Sequence, residues 1–137
     1  MARSADFIGA TGIGVSDLKR SKDFYTRVLG MQAVQTFKLE HMEEIVLSHE
    51  GRNAVVLMHY TDGSNPSYKN LPVKLVFYVT DPKAVAARVR EAGYEVTREP
   101  APVPSFGNAM VGLAKDPDGY VIELLQAPAA RQQAEVA

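Results

Sequence analysis

The sequence predicts an α+β domain built of two βαβββ modules that form a curved sheet around a cleft, with the helices outside. Three observations lead there. An internal repeat spans nearly the whole chain, a capped amphipathic helix sits at the matching place in each copy, and three strand patterns follow each helix.

The first copy opens on residues 8–15, a short strand pattern. Ser16 and Asp17 then offer an N-cap, because a short oxygen-bearing side chain can accept from the unpaired amides of a first helical turn. Leu18, Ser21, Phe24 or Tyr25, and Val28 follow at helical spacing, and Gly30 stands where left-handed backbone ends a helix. The second copy opens on residues 73–79, rich in β-branched and aromatic side chains. Asp81 is its cap, and Pro82 suits the first helical position, where no backbone N–H is needed. Val85, Ala86 and Val89 make the apolar stripe, and Gly93 closes the helix as Gly30 closes the first.

After the first helix the strand patterns are residues 31–39, 43–49 and 53–60, with Glu50-Gly51-Arg52 as a hairpin turn. After the second they are residues 94–98, 108–114 and 120–126, the last two joined by Asp116-Pro117-Asp118-Gly119. Residues 61–72 are rich in Gly, Ser, Asn and Pro and form a loop between the halves. Residues 128–137 lack apolar periodicity and read as a frayed helix or a disordered tail. The expected organisation is one domain over residues 1–127, made of modules 7–60 and 73–126.

A chain of 137 residues with 46% hydrophobic and 23% charged residues is of ordinary single-domain size and soluble composition. A net charge of −1, with no basic run interleaved with aromatics, argues against a nucleic-acid partner. The absence of cysteine excludes disulfides, thiolate zinc and a cysteine nucleophile, and suits a reducing cytoplasm. No window resembles a signal peptide or a membrane span, so a cytoplasmic protein without a membrane partner is expected.

Two stretches carry a resemblance. Ser16-Asp17-Leu18, leading to Phe24-Tyr25-Thr26-Arg27-Val28-Leu29-Gly30-Met31, resembles the helix opening of the vicinal-oxygen-chelate superfamily, the glyoxalase, bleomycin-resistance and extradiol-dioxygenase type. Asp116-Pro117-Asp118-Gly119-Tyr120-Val121-Ile122-Glu123-Leu124 resembles its closing hairpin and last strand. The match runs over roughly residues 7–126. The resemblance implies a divalent ion held by side chains from the first and last strand of each module. Those places fall on Ala10, Leu57, Lys74 and Glu123, and the repeat supports them by near-equal shifts from Ala10 to Lys74 and from Leu57 to Glu123. Only Glu123 keeps a metal-ligand chemistry, since Ala10 and Leu57 cannot donate and an ammonium at Lys74 repels a cation. No metal and no cofactor are therefore expected. A site rebuilt from His59, Glu123 and one other group is the alternative; the simpler reading leaves His41, His49 and His59 at strand ends facing water.

Strand alternation then sets the cleft faces. Ala10, Gly12 and Gly14 point inward from the first strand; Val55, Leu57 and His59 from the fourth; Lys74, Val76 and Tyr78 from the fifth; and Val121, Glu123 and Leu125 from the last. Glu123 interrupts an apolar run, where an unpaired carboxylate is costly, so Lys74 is expected to replace the metal as its counter-charge. Gly12 and Gly14 read either as room for a ligand or as relief of crowding. Phe106, in the proline-rich segment 100–106, reads as a stacking surface on the cleft rim or as a loop anchor.

Two functions of different class follow. One is a small-molecule-binding protein of the bleomycin-resistance type, with an apolar cleft and a degenerate metal site. The other is a glyoxalase-type lyase or isomerase working without metal, with Glu123 as general base and Lys74 or Tyr78 stabilising an enolate-like oxygen. The ordinary metal-dependent lyase, isomerase or dioxygenase is disfavoured by the ligand positions. Each open module must meet another to close a cleft; the resemblance implies that the facing module belongs to a second chain, so a homodimer is expected, the alternative being closure within one chain across the linker of residues 61–72.

Overall fold

A computed structural model describes residues 7–64, 66–69 and 71–128. The chain forms two compact units, Met1–Tyr68 and Lys69–Ala137, and each carries a four-stranded sheet. The tail expected over residues 128–137 lies outside the described residues from 129 onward.

In the first unit the order is β1 (Thr11–Gly14), α1 (Leu18–Asp23), β2 (Gln32–Lys38), β3 (Met42–His49) and β4 (Arg52–Tyr60). Its sheet runs β1-β4-β3-β2, with β1 parallel to β4 and the other pairs antiparallel. The second unit repeats the plan with β5 (Lys74–Val79), α2 (Pro82–Glu91), β6 (Val96–Val103), β7 (Ala109–Lys115) and β8 (Val121–Gln126), ordered β5-β8-β7-β6.

The caps are as the sequence predicts. The Asp17 carboxylate accepts from the Arg20 amide at 3.0 Å, and Asp81 accepts from the Ala84 amide at 3.1 Å. Gly30 and Gly93 both have positive φ, 81° and 90°, where a Cβ would be strained. The helices themselves differ. After Asp23 the first continues as a π-helical turn, Phe24–Val28, with the Leu29 amide bonded to the Phe24 carbonyl at 3.2 Å. The wider turn takes up the one extra residue by which Asp17–Gly30 exceeds Asp81–Gly93.

Each helix covers one face of its own sheet. In the first unit Ile13, Val15, Phe24, Tyr25, Val28, Leu47 and Leu57 are buried, with Phe24 and Tyr25 edge to face at 5.1 Å. In the second the buried set is Val85, Ala86, Val89, Ala114, Ile122 and Leu124. A fully buried side chain of the larger of these stabilises by about 1.5–3 kcal/mol, so the stripes hold the modules together.

Two expectations need correction. Residues 100–106 were expected to form a rim loop, but β6 runs on through Pro100 and Pro102 to Val103. It is an edge strand with register shifts against β7, and an outward-facing edge position needs no N–H. The second correction concerns β4. Leu57 pairs in register with Ile13, and Gly12 with Val56, so Val55 and Leu57 lie on the helix side and Val56 and Met58 lie on the glycine side. A one-residue slip reverses every side chain in a strand. In β8 the residue beside Val76 is Glu123; in β4 the residue beside Gly12 is Val56, one position before the Leu57 that near-equal spacing indicated.

Candidate functional site

The helix-free face of the second sheet carries most of the chemistry. Its registers arrange the side chains in rows. Lys74, Val121 and Lys115 stand side by side across β5, β8 and β7. Val76, Glu123 and Leu113 form the next row, and Tyr78, Leu125 and Val111 the third. The residues between them on each strand, such as Ile122 and Leu124, turn to α2 and are buried.

Glu123 thus rises from the middle of an apolar row on a central strand. Its side chain is only 12% exposed, and Lys74 Nζ donates to its Oε1 at 3.2 Å from the neighbouring row. The expected ion pair is present. It is asymmetric: the Lys74 side chain is 54% exposed, so the pair turns its ammonium outward and its carboxylate inward. Lys115, across Val121, donates to the Gly119 carbonyl at 3.3 Å. Val76 and Tyr78 are exposed, at 47% and 64%. The adjoining Asp116 turn is rigid, because the buried Asp116 carboxylate accepts from the Asp118 and Tyr120 amides at 2.9 Å each.

Leu125 shares the face with Tyr78, as expected. Phe106 is 51% exposed in a short 3-10 turn at the β6–β7 tip. That tip follows the Val103–Ala109 pair, at the Tyr78 and Leu125 end of the sheet rather than the Lys74 end.

The first unit uses its expected site residues differently. A Cβ on Gly12 would meet Met58 Sδ at 3.0 Å, and one on Gly14 would meet the Tyr68 ring at 3.2 Å. A side chain at either position would crowd those neighbours; Gly14 is half-buried beside Tyr68, while Gly12 stays exposed. Tyr68, missed in the sequence, folds back from the linker and accepts from the Tyr60 amide at 3.1 Å. A lone aromatic in a polar loop was the signal for it. His59 stacks on Tyr68 at 5.8 Å, and its Nδ1 donates to the Val15 carbonyl at 2.9 Å. A carbonyl only accepts, so Nδ1 carries the proton and His59 is tied into this packing. Leu57 is fully buried against the helix side and meets no ligand. A cavity of about 680 Å³ in this unit, lined by Phe7, Ile8, Gly9, Gly51, Arg52 and Asn53, contains none of the expected site residues.

The residues do not fit the divalent ion that the resemblance implies. Ala10 offers no donor, nor does Leu57 or the register-matched Val56, and Lys74 brings a positive charge to Glu123. Among the described residues no group of three or more His, Asp or Glu side chains is placed to hold a metal. Nor, among those residues, is any helix long and apolar enough to cross a membrane.

Comparison with known proteins matches this architecture. Residues 7–124 fit the profile of the Glyoxalase/Bleomycin resistance protein/Dioxygenase superfamily. The chain is 36% identical over 123 residues to a probable lactoylglutathione lyase of Vibrio cholerae, covering 85% of this chain and 87% of the relative. In fold it is similar to the trypanothione-dependent glyoxalase I of Leishmania major, with a TM-score of 0.75 at 23% identity over 96% of this chain and 94% of that one. It is similar also to TnmS3, an antibiotic-binding protein from Streptomyces sp. CB03234, with a TM-score of 0.72 at 24% identity over 92% and 99% of the two chains. With the repeated βαβββ plan, the Asp-Pro-Asp-Gly hairpin and the matched profile in agreement, the chain belongs to the glyoxalase/bleomycin resistance protein/dioxygenase superfamily.

Proposed function

We propose that this member of the superfamily binds a small organic molecule on the Lys74–Glu123 face of its second module, with the Lys74 ammonium in the place of a metal ion. The observation that carries the reading is the 3.2 Å contact from Lys74 Nζ to a carboxylate only 12% exposed. A carboxylate so enclosed needs a counter-charge, and here the chain supplies its own. Val76, Tyr78 and Leu125 beside the pair give the apolar contact area that small ligands use.

The direct test is metal analysis of protein purified without added metal, together with melting in the presence of chelator. The expected result is no stoichiometric nickel, zinc, manganese or iron and an unchanged melting temperature. About one tightly held ion per chain, with a chelator-sensitive transition, sinks the reading, because a ligand that binds only the folded state stabilises it.

A second reading has a specific observation in its favour, the 36% identity to a probable lactoylglutathione lyase. In that reading Glu123 removes a proton from a carbon acid, and Lys74 or Tyr78 stabilises the oxygen that gains charge. The Glu123 carboxylate must give up its contact with Lys74 before it can take a proton from a substrate, which puts this reading second. Lactoylglutathione lyase activity, measured with and without added divalent metal and lost in Glu123→Gln, decides for it.

A further inference from the structure

The second sheet's open face is graded in charge. Its first row has two ammonium groups, Lys74 and Lys115, flanking Val121; its second has one carboxylate, Glu123; its third, Tyr78, Leu125 and Val111, is uncharged. Resting on the small-molecule reading above, we infer that this face selects an amphipathic monoanion, a carboxylate attached to a flat apolar body of one or two rings.

An ammonium has three N–H groups and no acceptor, so whatever binds Lys74 must bring an oxygen that accepts. Among the described residues Glu123 is the hydrogen-bond partner of Lys74, and it occupies one donor. The ammonium end is the solvent-facing end, at 54% exposure against 12% for the carboxylate. An arriving anion therefore meets the cation first. At hydrogen-bond distance from Lys74 its attraction outweighs repulsion from Glu123 behind, since Coulomb energy falls with separation. Lys115, in the same row on the other side of Val121, adds a second positive charge to that end of the face. A cationic ligand meets the same ammonium first and is repelled by it.

The size argument comes from strand geometry. Lys74, Val76 and Tyr78 alternate along one strand, so about 13 Å separates the first and last Cα atoms at roughly 3.3 Å per residue. A carboxylate at Lys74 thus leaves room for a ring system along Val76, with its far edge on the Tyr78 ring. Tyr78 at 64% exposure and Val76 at 47% present the apolar area for that body.

Two reporter ligands of nearly equal shape separate the charge from the apolar contact: 2-naphthoate, an anion, and 2-naphthalenemethanol, its neutral counterpart. Binding is read by calorimetry or by the naphthalene fluorescence, on the full chain. Wild type should bind the naphthoate at least tenfold more tightly than the alcohol. Raising the salt from 50 to 500 mM should weaken only the naphthoate. Lys74→Met should remove the preference, Lys74→Arg should keep most of it, and Tyr78→Ala should weaken both ligands together. Equal affinities for the two ligands, or a naphthoate affinity indifferent to salt, overturn the monoanion inference and leave small-molecule binding standing. Failure of both ligands to bind in the millimolar range removes the binding reading itself. If Lys74→Met does not fold, the charged-to-neutral ratio and the salt series on wild type decide alone.

Discussion

The two modules share one strand order and differ in what stands beside the matching residue of their first strands. Beside Gly12 stands Val56; beside Val76 stands Glu123. Around that difference the first module sets its own side chains against its glycines, Met58 beside Gly12 and Tyr68 beside Gly14. The second leaves its face open, with Val76 and Tyr78 exposed and an ion pair set among them. A repeated fold thus carries two different surfaces: one copy sets its own side chains against its glycines, and the other sets an ion pair among exposed apolar side chains. Fold similarity alone does not show that division, because function resides in the side chains placed on the scaffold.

The largest effect that bears on this comparison is assembly. Exposed apolar side chains lie on both sheets, Val34 and Phe37 on β2 and Val76 and Tyr78 on β5. A symmetric pair is the expected way to cover such surface. Light scattering at micromolar concentration should give twice the 15.0 kDa chain mass. A value at 15.0 kDa removes the dimer.

Next in size is a pair of glycine substitutions, one in each module. A Cβ on Gly112 would lie 2.7 Å from Pro100 Cγ and 3.4 Å from the Arg98 carbonyl, against a buried ring and backbone that cannot turn aside. A Cβ on Gly12 meets only the flexible end of Met58. Gly112→Ala should therefore cost about 2 kcal/mol, and Gly12→Ala well under about 1 kcal/mol. Denaturant titration of the two variants checks the ranking, and equal losses would show that the first module is as tightly packed as the second.

The ion pair comes third. Lys74→Met leaves a carboxylate at 12% exposure without its partner, and half of the pair is solvated, so the expected loss is about 1 kcal/mol at neutral pH. Glu123→Gln added to it should recover part of that loss. Strict additivity in the double-mutant cycle would mean that the two groups do not interact.

How far the sequence reaches can be judged on particular residues. The caps Asp17 and Asp81 and the closing glycines were legible from local chemistry, and the Lys74–Glu123 contact from the ligand positions that the resemblance implies together with the cost of an unpaired carboxylate in an apolar run. The face of β4 was not. It follows from the register of β4 against β1, a pairing between distant segments that stands one residue from where repeat spacing puts it. The ligand positions that the resemblance implies put Leu57 on the open face, and the repeat spacing agreed with them. Tyr68 was illegible for another reason: a loop residue's packing partner is a tertiary choice that no periodicity records. Pro100 and Pro102 looked like loop punctuation, and only the edge position of β6 makes them compatible with a strand.

The smallest expected effect concerns how each helix is fastened. In the first module Asp23 and Arg27 pair within the helix, across the junction from α to π turn, with contacts of 3.0 Å. In the second, Arg90 of α2 pairs with Glu99 of β6, so there the charge ties helix to sheet. The Arg27 hydrogen bond holds the Asp23 carboxyl below its ordinary value of 3.8. A carboxylate lowered in the folded state contributes stability that is fully present above the unfolded value and is lost as pH falls through the folded one. The contribution therefore stands at neutral pH and fades only in acid below 3.8. Both side chains are well exposed, so solvent and salt screen the pair. Arg27→Gln should return the Asp23 titration, followed by carboxyl NMR shifts, to its ordinary value while the melting temperature at neutral pH barely moves. An Asp23 titration unchanged in Arg27→Gln would show that the lowered value comes from another source, such as the helical backbone around it. The π turn would then be held by its buried Phe24, Tyr25 and Val28 without help from the surface pair.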